Sequence, residues 1–254
     1  MHILLIDGFN LIRRIYEARP HDDDVVEKEV ITSAAHSMTR ALRLHKPSHA
    51  CCILDSHEPT WRHELYPLYK ANRKPTPRPL LDAIPDFETA FQKLGVKCIT
   101  MAHYEADDVI ATLAKGVSRK GGYVTILSTD KNFLQLLDEH IKIYDHFNET
   151  EYTSKWVLEK YGIRHDQLVD YWALTGDSTN NIKGVPKVGP KTAKQLIGEF
   201  ETLDALLQAP QEQPGGKRAK EHRQEAEDAR ELAQLKTDIK LGINLNQLRY
   251  VSRE

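Results

Sequence analysis

The sequence predicts an α/β fold: a parallel sheet covered by helices, followed by a purely helical region. Three observations carry this. Short apolar runs at Ile3–Ile6, Ala50–Leu54 and Val124–Leu127 each lead into an acid, at Asp7, Asp55 and Asp130. Segments with helical spacing, Val26–Leu44 and Ile84–Leu94, lie between them, which is the βαβ pattern of a parallel sheet. After about Ser154 no further strand-like run occurs.

In chain order, the first run makes a buried strand ending at Asp7 and the second ends at Asp55. Trp61–Arg73 is dense in aromatic and basic residues, and the proline-rich stretch from Lys74 to Pro79 cannot continue a regular helix, so an exposed excursion from the sheet edge is expected over 61–80. A strand around Val96–Thr100 leads to Glu105-Ala106-Asp107-Asp108 and a helical run, Val109–Val117. Two more strands are expected at Val124–Leu127 and Ile141–Tyr144, the latter ending in Asp145. Lys155–Tyr161, Asp166–Leu174 and Lys191–Glu199 read as helices, Gln208–Gly216 as a polar linker and Lys217–Thr237 as one highly charged helix. The acidic stretch Asp22–Asp24 reads as a solvated loop or a helix start.

The chain has 254 residues, 40% of them hydrophobic, enough for one large or two small cores. Lys plus Arg number 35 against 37 Asp plus Glu, a near balance that by itself neither favours nor excludes nucleic acid. Three sparse cysteines, Cys51, Cys52 and Cys98, fit reduced thiols better than a disulfide framework, and without a Cys-x-x-Cys pair they do not make a zinc site. No apolar run approaches the roughly 20 residues of a membrane span, and no signal peptide precedes the first strand, so a cytoplasmic protein is expected.

Asp7, Asp55 and Asp130 each follow a strand directly, and in an open parallel sheet such residues gather at the C-terminal edge, where ligands bind. Any one of them alone reads as a helix cap. Glu105, Asp107 and Asp108 at a helix start are favoured by its dipole and lie on the same edge if that helix follows the strand near Val96–Thr100; Asp177 is a candidate to join from the helical half. Like charges about 4 Å apart repel by about 4 kcal/mol at an effective dielectric of about 20, so several carboxylates on one edge call for a cation. All-oxygen ligation points to Mg²⁺, or Mn²⁺, with a bound water as the attacking group in phosphodiester hydrolysis. No Ser-His-Asp or Cys-His set competes for that role.

Lys70 and Arg73 are three apart and would share one face of a helix, suited to gripping phosphate, while Tyr69 is a candidate to stack on an unpaired base; the competing reading is a solvated basic helix with Tyr69 packed inward. Gly184-Val185-Pro186-Lys187-Val188-Gly189-Pro190-Lys191-Thr192-Ala193 is a glycine-flanked turn opening into a helix, the pattern of a helix-hairpin-helix whose free N–H groups hold a DNA phosphate without reading sequence. Lys187, Lys191 and Lys194 add positive charge there.

Leu5-Ile6-Asp7-Gly8, Tyr69-Lys70-Ala71-Asn72-Arg73, Glu105-Ala106-Asp107-Asp108, Ser128-Thr129-Asp130-Lys131 and Thr175-Gly176-Asp177 occur in that order, with the hairpin after them. Together they resemble the 5′-3′ exonuclease and flap endonuclease family over nearly the whole chain. The resemblance implies a PIN-like (resolvase-like) nuclease core over 1–154 with a helical arch at about 61–90, and a helical region over 155–254 with the helix-hairpin-helix at about 170–200. It implies Mg²⁺-dependent hydrolysis near the single-strand/double-strand junction of a 5′ flap in DNA. By position, Asp7, Asp55, Glu105, Asp107 and Asp108 match the first metal site, with Asp107 the most direct ligand, and Asp130 and Asp177 match part of the second. Lys70 and Arg73 match residues that contact the scissile phosphate. A K⁺ ion bridging to DNA would be held by carbonyls of Leu174, Thr175, Lys183, Val185 and Val188. Lys187, Val188, Gly189, Pro190, Lys191 and Thr192 would face DNA, with Tyr69. The family's usual acids after Asp130 and Asp177 are here Asn132 and Asn180, so a weaker second metal site is expected. Two alternatives stand beside this: a catalytically weak DNA-junction binding protein, and a PIN-type ribonuclease, which the helix-hairpin-helix disfavours. Nothing in the sequence calls for an obligate oligomer, and a monomer is expected.

Overall fold

The computed structural model describes residues 1–18, 28–56, 58–210 and 214–251. Its first half comprises β1 (His2–Asp7), α1 (Gly8–Glu17), α2 (Lys28–His45), β2 (His49–Leu54), α3 (Trp61–Leu65), α4 (Arg78–Asp82), α5 (Ile84–Lys93), β3 (Lys97–Thr100), α6 (Ala106–Ser118), β4 (Tyr123–Leu127), β5 (Ile141–Asp145) and β6 (Thr150–Tyr152). The strands form one sheet in the order β3-β2-β1-β4-β5-β6, parallel throughout except for the antiparallel β6.

Each central strand is apolar on both faces, because helices cover both. Successive residues alternate between two cores. Ile3, Leu5, Cys51 and Ile53 pack with α6, while Leu4, Ile6, Cys52 and Leu54 pack with α1, α2 and α5. The turn from β1 into α1 requires Gly8: a Cβ there would lie 2.7 Å from the Cys52 sulfur and 2.8 Å from the Ile53 carbonyl oxygen. This close approach seats α1 over β2 and fixes Asp7 at the strand end.

Strand order runs outward from β1 to β3 and resumes at β4 on the other side of β1. The crevice outside the carboxyl ends of β1 and β4 is therefore a topological switch point, the place where open α/β sheets bind ligands.

The second half contains α7 (Ser154–Tyr161), α8 (Leu168–Thr175), a two-residue pair of strands β7 (Gly176–Asp177) and β8 (Ile182–Lys183), then α9 (Pro190–Phe200), α10 (Leu203–Gln208), α11 (Pro214–Glu221) and α12 (Arg223–Ala233). It shares a continuous core with the sheet's α6 face, including Leu168, Leu174, Val185, Val188 and Ile197. The chain then returns to the sheet, where the Tyr250 N–H donates to the Ser48 carbonyl at 2.9 Å.

Several expectations change. Strands do not stop at Ser154, because β7 and β8 make a small antiparallel pair inside the helical half. The helix expected over Lys217–Thr237 is two, separated at His222, and its second part buries Ala226, Ala229, Leu232 and Ala233 beneath a charged surface. The linker expected over Gln208–Gly216 is shorter, since α10 includes Gln208 and α11 begins at Pro214. The stretch Asp22–Asp24 lies outside the described residues. Among the described residues no helix is long and apolar enough to cross a membrane.

Candidate active site

Asp7 and Asp130 are helix caps as well as edge carboxylates. Asp7 accepts from the Asn10 N–H at 3.1 Å at the start of α1, and Asp130 accepts from the Asn132 N–H at 2.8 Å. Asp55, at the end of β2, caps across the sheet, accepting from the Ala106 N–H at 2.9 Å where α6 begins. Capping and convergence are therefore the same event. Each cap ties an acid to a helix start on the C-terminal edge, and the β1/β4 crevice collects them. The Ser128 hydroxyl orients the Asp7 carboxylate, donating to it at 2.7 Å while accepting from the Asp130 N–H at 3.1 Å.

Asp7, Asp55, Asp107 and Asp130 line one polar cavity of about 280 Å³ together with Lys70, Arg73, Arg13, Asn10, Ser56 and Thr76. Burial and the neighbouring Asp55 push the Asp7 carboxyl up to about 7. Burial, with Asp130 and Asp7 nearby, raises Asp107 well above the ordinary carboxylate range. Burial also raises Asp55, against the Ala106 N–H. Crowding of these buried carboxylates favours their neutral forms, so a cation placed among them would be stabilising.

Among the described residues no three acids or imidazoles are set to share one ion directly. The donor set nevertheless fits a hard divalent cation that keeps most of its waters. It offers oxygen ligands only, crowded and undercompensated, around a space wide enough for a hydrated ion.

Two acids expected at the metal are engaged elsewhere. Asp108 is fully buried and forms a two-pronged pair with Arg62, accepting from Nη1 at 2.7 Å and Nη2 at 2.9 Å, and it also takes the Trp61 indole N–H at 2.9 Å and the Lys236 N–H at 2.9 Å. With those donors around it, Asp108 faces away from the cavity and anchors α3 to α6. Glu105 accepts from Lys70 Nζ at 2.6 Å, Arg62 Nη1 at 3.0 Å and the Tyr69 hydroxyl at 3.0 Å. Burial alone would raise its carboxyl, but the Lys70 and Arg62 charges hold it below the usual range.

The basic segment also differs from expectation. Residues 66–73 form successive turns, not a helix, and Lys70 adopts a left-handed φ of 56°. Lys70 and Arg73 still reach the same cavity. Tyr69 is 4% exposed and bonded to Glu105, so it packs inward and offers no face to a base.

Asp177 caps the turn that follows it, accepting from the Thr179 N–H at 2.9 Å and from the Asn180 amide, and it does not line the cavity. Asn132 accepts from the Gln135 amide at 2.7 Å, and Asn180 accepts from Arg73 Nη2 at 2.6 Å.

The helix-hairpin-helix comprises α8, the β7–β8 pair, the turn 184–189 and α9. Gly184 is required where the chain crosses itself, since a Cβ would lie 2.5 Å from the Leu174 carbonyl oxygen and 2.2 Å from the Gly176 nitrogen. Val185 and Val188 are buried and lock the turn to the core, which leaves Lys187 and Lys191 exposed. Gly189 precedes α9 with open space in front of it and no side-chain cap, so the first N–H groups of the helix remain available to an anion. Of the carbonyls expected at a K⁺ ion, that of Leu174 accepts from the Val185 N–H at 2.9 Å and that of Val185 from the Val188 N–H at 3.1 Å, each retaining a second lone pair.

Arg62, Ser128 and Asn10 were not singled out by sequence reasoning. Ser128 stands in the Ser-Thr-Asp-Lys motif, which was the available signal. Arg62 had none: its partners Glu105 and Asp108 lie 43 and 46 positions away.

Two family models match the chain, "5′-3′ exonuclease, N-terminal resolvase-like domain" over residues 2–162 and "5′-3′ exonuclease, C-terminal SAM fold" over residues 163–254. A curated relative from Aeromonas hydrophila, named Flap endonuclease Xni, is 39% identical over 98% of this chain and 96% of its own length. The chain belongs to the 5′-3′ exonuclease family. T5 5′-exonuclease bound to divalent zinc ions superposes with a TM-score of 0.80 at 20% identity, covering 92% of this chain and 89% of that one. A bacteriophage T5 flap endonuclease variant in complex with DNA and metal ions gives 0.76 at 21% identity, also covering 92% and 89%. These likenesses show the fold: a resolvase-like sheet domain followed by a helical SAM-like region.

Proposed function

We propose that this chain is a divalent-metal-dependent, structure-specific 5′ nuclease that hydrolyses a phosphodiester near the single-strand/double-strand junction of 5′-flap DNA. The observation that carries the reading is the mixed lining of one cavity: Asp7, Asp55, Asp107 and Asp130 share it with Lys70 and Arg73. A scissile phosphate bound there would meet both cationic donors and metal-binding carboxylates. Family membership and the name of the relative support the same activity.

The metal is Mg²⁺, with Mn²⁺ able to replace it, held chiefly through Asp107 with Asp7, Asp55 and Asp130. When bound, it supplies an activated water and neutralises charge developing on the phosphate. Glu105 holds the Lys70 ammonium at the cavity mouth, and Arg73 presents a fork suited to two phosphate oxygens. Asp108 acts through the fold, by way of Arg62. Asp130 and Asp177, with Asn132 and Asn180 in place of acids, give a weak second site.

The helix-hairpin-helix at about 170–200 grips the duplex backbone through the start of α9, with Lys187, Val188, Gly189, Pro190, Lys191 and Thr192 facing DNA and a K⁺ ion on carbonyls of Leu174, Thr175, Lys183, Val185 and Val188. The nuclease core spans 1–154, with the arch over about 61–90, and the helical region spans 155–254. The protein acts as a monomer.

Matched 5′-flap substrates in DNA and RNA test the assignment. Cleavage of the DNA flap alone, at its junction, is the expected result. Preferential RNA cleavage would make this a ribonuclease, and tight binding without cleavage in Mg²⁺ or Mn²⁺ would make it a junction-binding protein.

A further inference from the structure

The segment between β7 and β8 is stitched to the basic turn by five bonds. Asn72 Nδ2 donates to the Ser178 carbonyl at 2.7 Å, Arg73 Nε to the Thr179 carbonyl at 3.3 Å, Arg73 Nη2 to the Asn180 side-chain oxygen at 2.6 Å, the Lys70 N–H to the Asn180 carbonyl at 2.9 Å, and Asn181 Nδ2 to the Leu68 carbonyl at 2.7 Å. Two of the residues involved, Lys70 and Asn181, hold left-handed φ angles of 56°. For a lysine this is a strained conformation that persists only where its surroundings enforce it.

Asn180 is the centre of the clip. It is 8% exposed, whereas Arg73 is exposed. Its amide faces two groups of opposite demand: Arg73 can only donate, and the Asp177 carboxyl oxygen accepts. A side-chain amide of this length satisfies both, with its oxygen toward Arg73 and its nitrogen toward Asp177. A carboxylate would satisfy Arg73 but meet Asp177 with like charge.

We propose that Asn180 is a positioning residue for the reaction: its amide, braced by Asp177, fixes the Arg73 guanidinium beside the carboxylate cavity and couples the helix-hairpin-helix to the phosphate-gripping turn. The proposal rests on the reading that Arg73 grips a DNA phosphate. Asn180 is then more than a lost metal ligand, because its neutrality lets one side chain serve both neighbours.

A double-mutant cycle tests it, measuring Mg²⁺-dependent cleavage of 5′-flap DNA by the full chain. Asn180→Ala removes one charge-assisted hydrogen bond from Arg73, which corresponds to about a 10-fold loss in kcat/KM. In the Arg73→Ala background that loss disappears. In the Lys70→Ala background it persists in full, because Asn180 holds Lys70 through its backbone carbonyl, which the substitution leaves in place. An Asn180→Ala effect that is absent, or undiminished without Arg73, overturns the proposal. If Arg73→Ala itself leaves cleavage unchanged, it is the phosphate-gripping reading that fails. Melting curves accompany each variant. Should Asn180→Ala not fold, Asn180→Ser takes its place in the same cycle, since its shorter hydroxyl keeps a polar group at the turn but withdraws the acceptor from Arg73. A loss of cleavage that vanishes in the Arg73→Ala background again supports the proposal, and a loss that survives there overturns it.

Discussion

Replacing Arg62 with methionine should destabilise the protein more than any other single change at the site. The guanidinium is fully buried and makes five hydrogen bonds: two to Asp108, one to Glu105, and one each to the Leu232 and Gln234 carbonyls. It also stacks on the Trp61 ring at 4.4 Å. Methionine keeps much of the side-chain stem but leaves two carboxylates short of a buried countercharge. Removing one partner of such a pair costs about 3–5 kcal/mol. Asp108 retains the Trp61 indole and the Lys236 N–H, and Glu105 retains Lys70 and Tyr69, which favours the lower half of that range. At about 2–4 °C per kcal/mol for a chain near this size, the melting temperature should fall by about 6–16 °C. Differential scanning calorimetry without divalent metal measures it. Arg62→Met/Asp108→Asn should recover part of the loss, because the double variant removes the orphaned charge. A fall of less than about 2 °C, or a double variant that is less stable than the sum of both single changes, would refute the idea that this pair anchors α3 to α6.

Other consequences concern the cavity. Asp7 is pushed up to about 7 and Asp107 is raised as well, so without metal the folded state holds more protons than the unfolded state between about pH 4 and pH 7. The stability these groups contribute is present below about pH 4 and lost as pH rises through about 7. The stabilisation added by Mg²⁺, read as a shift in melting temperature, should therefore grow with pH over that window; a shift that shrinks with rising pH would contradict it. Asn132→Asp together with Asn180→Asp should tighten a second divalent ion in calorimetric titration, whereas unchanged stoichiometry and affinity would show that the missing charges do not limit that site.

Much of the sheet was legible because its signals are local. An apolar run of four or five residues ending in an acid marks a strand and its cap without any long-range information, and Asp7, Asp55 and Asp130 fall on the predicted edge. The helix-hairpin-helix was legible for a similar reason, since Gly184 permits the close crossing of the chain and Gly189-Pro190 marks the start of α9. What sequence reasoning missed depends on distant partners. Asp107 and Asp108 are neighbours on one helix start, and periodicity does not say which faces the cavity and which faces Arg62. Spacing suggested a helix for Lys70 and Arg73, but bonds to residues about a hundred positions away hold them in a turn. The break at His222 was hidden because alanines supply the buried face of α12 among charged residues.

The proposed function assigns metal-dependent cleavage of branched DNA to the cavity lined by Asp107. A labelled 5′-flap duplex incubated across a Mg²⁺ series with the wild-type chain and Asp107→Ala tests it most directly. Junction cleavage should rise with Mg²⁺ for wild type and be lost in the variant, with flap binding retained by both. Cleavage by Asp107→Ala at the wild-type rate, or none by wild type in either Mg²⁺ or Mn²⁺, would contradict it.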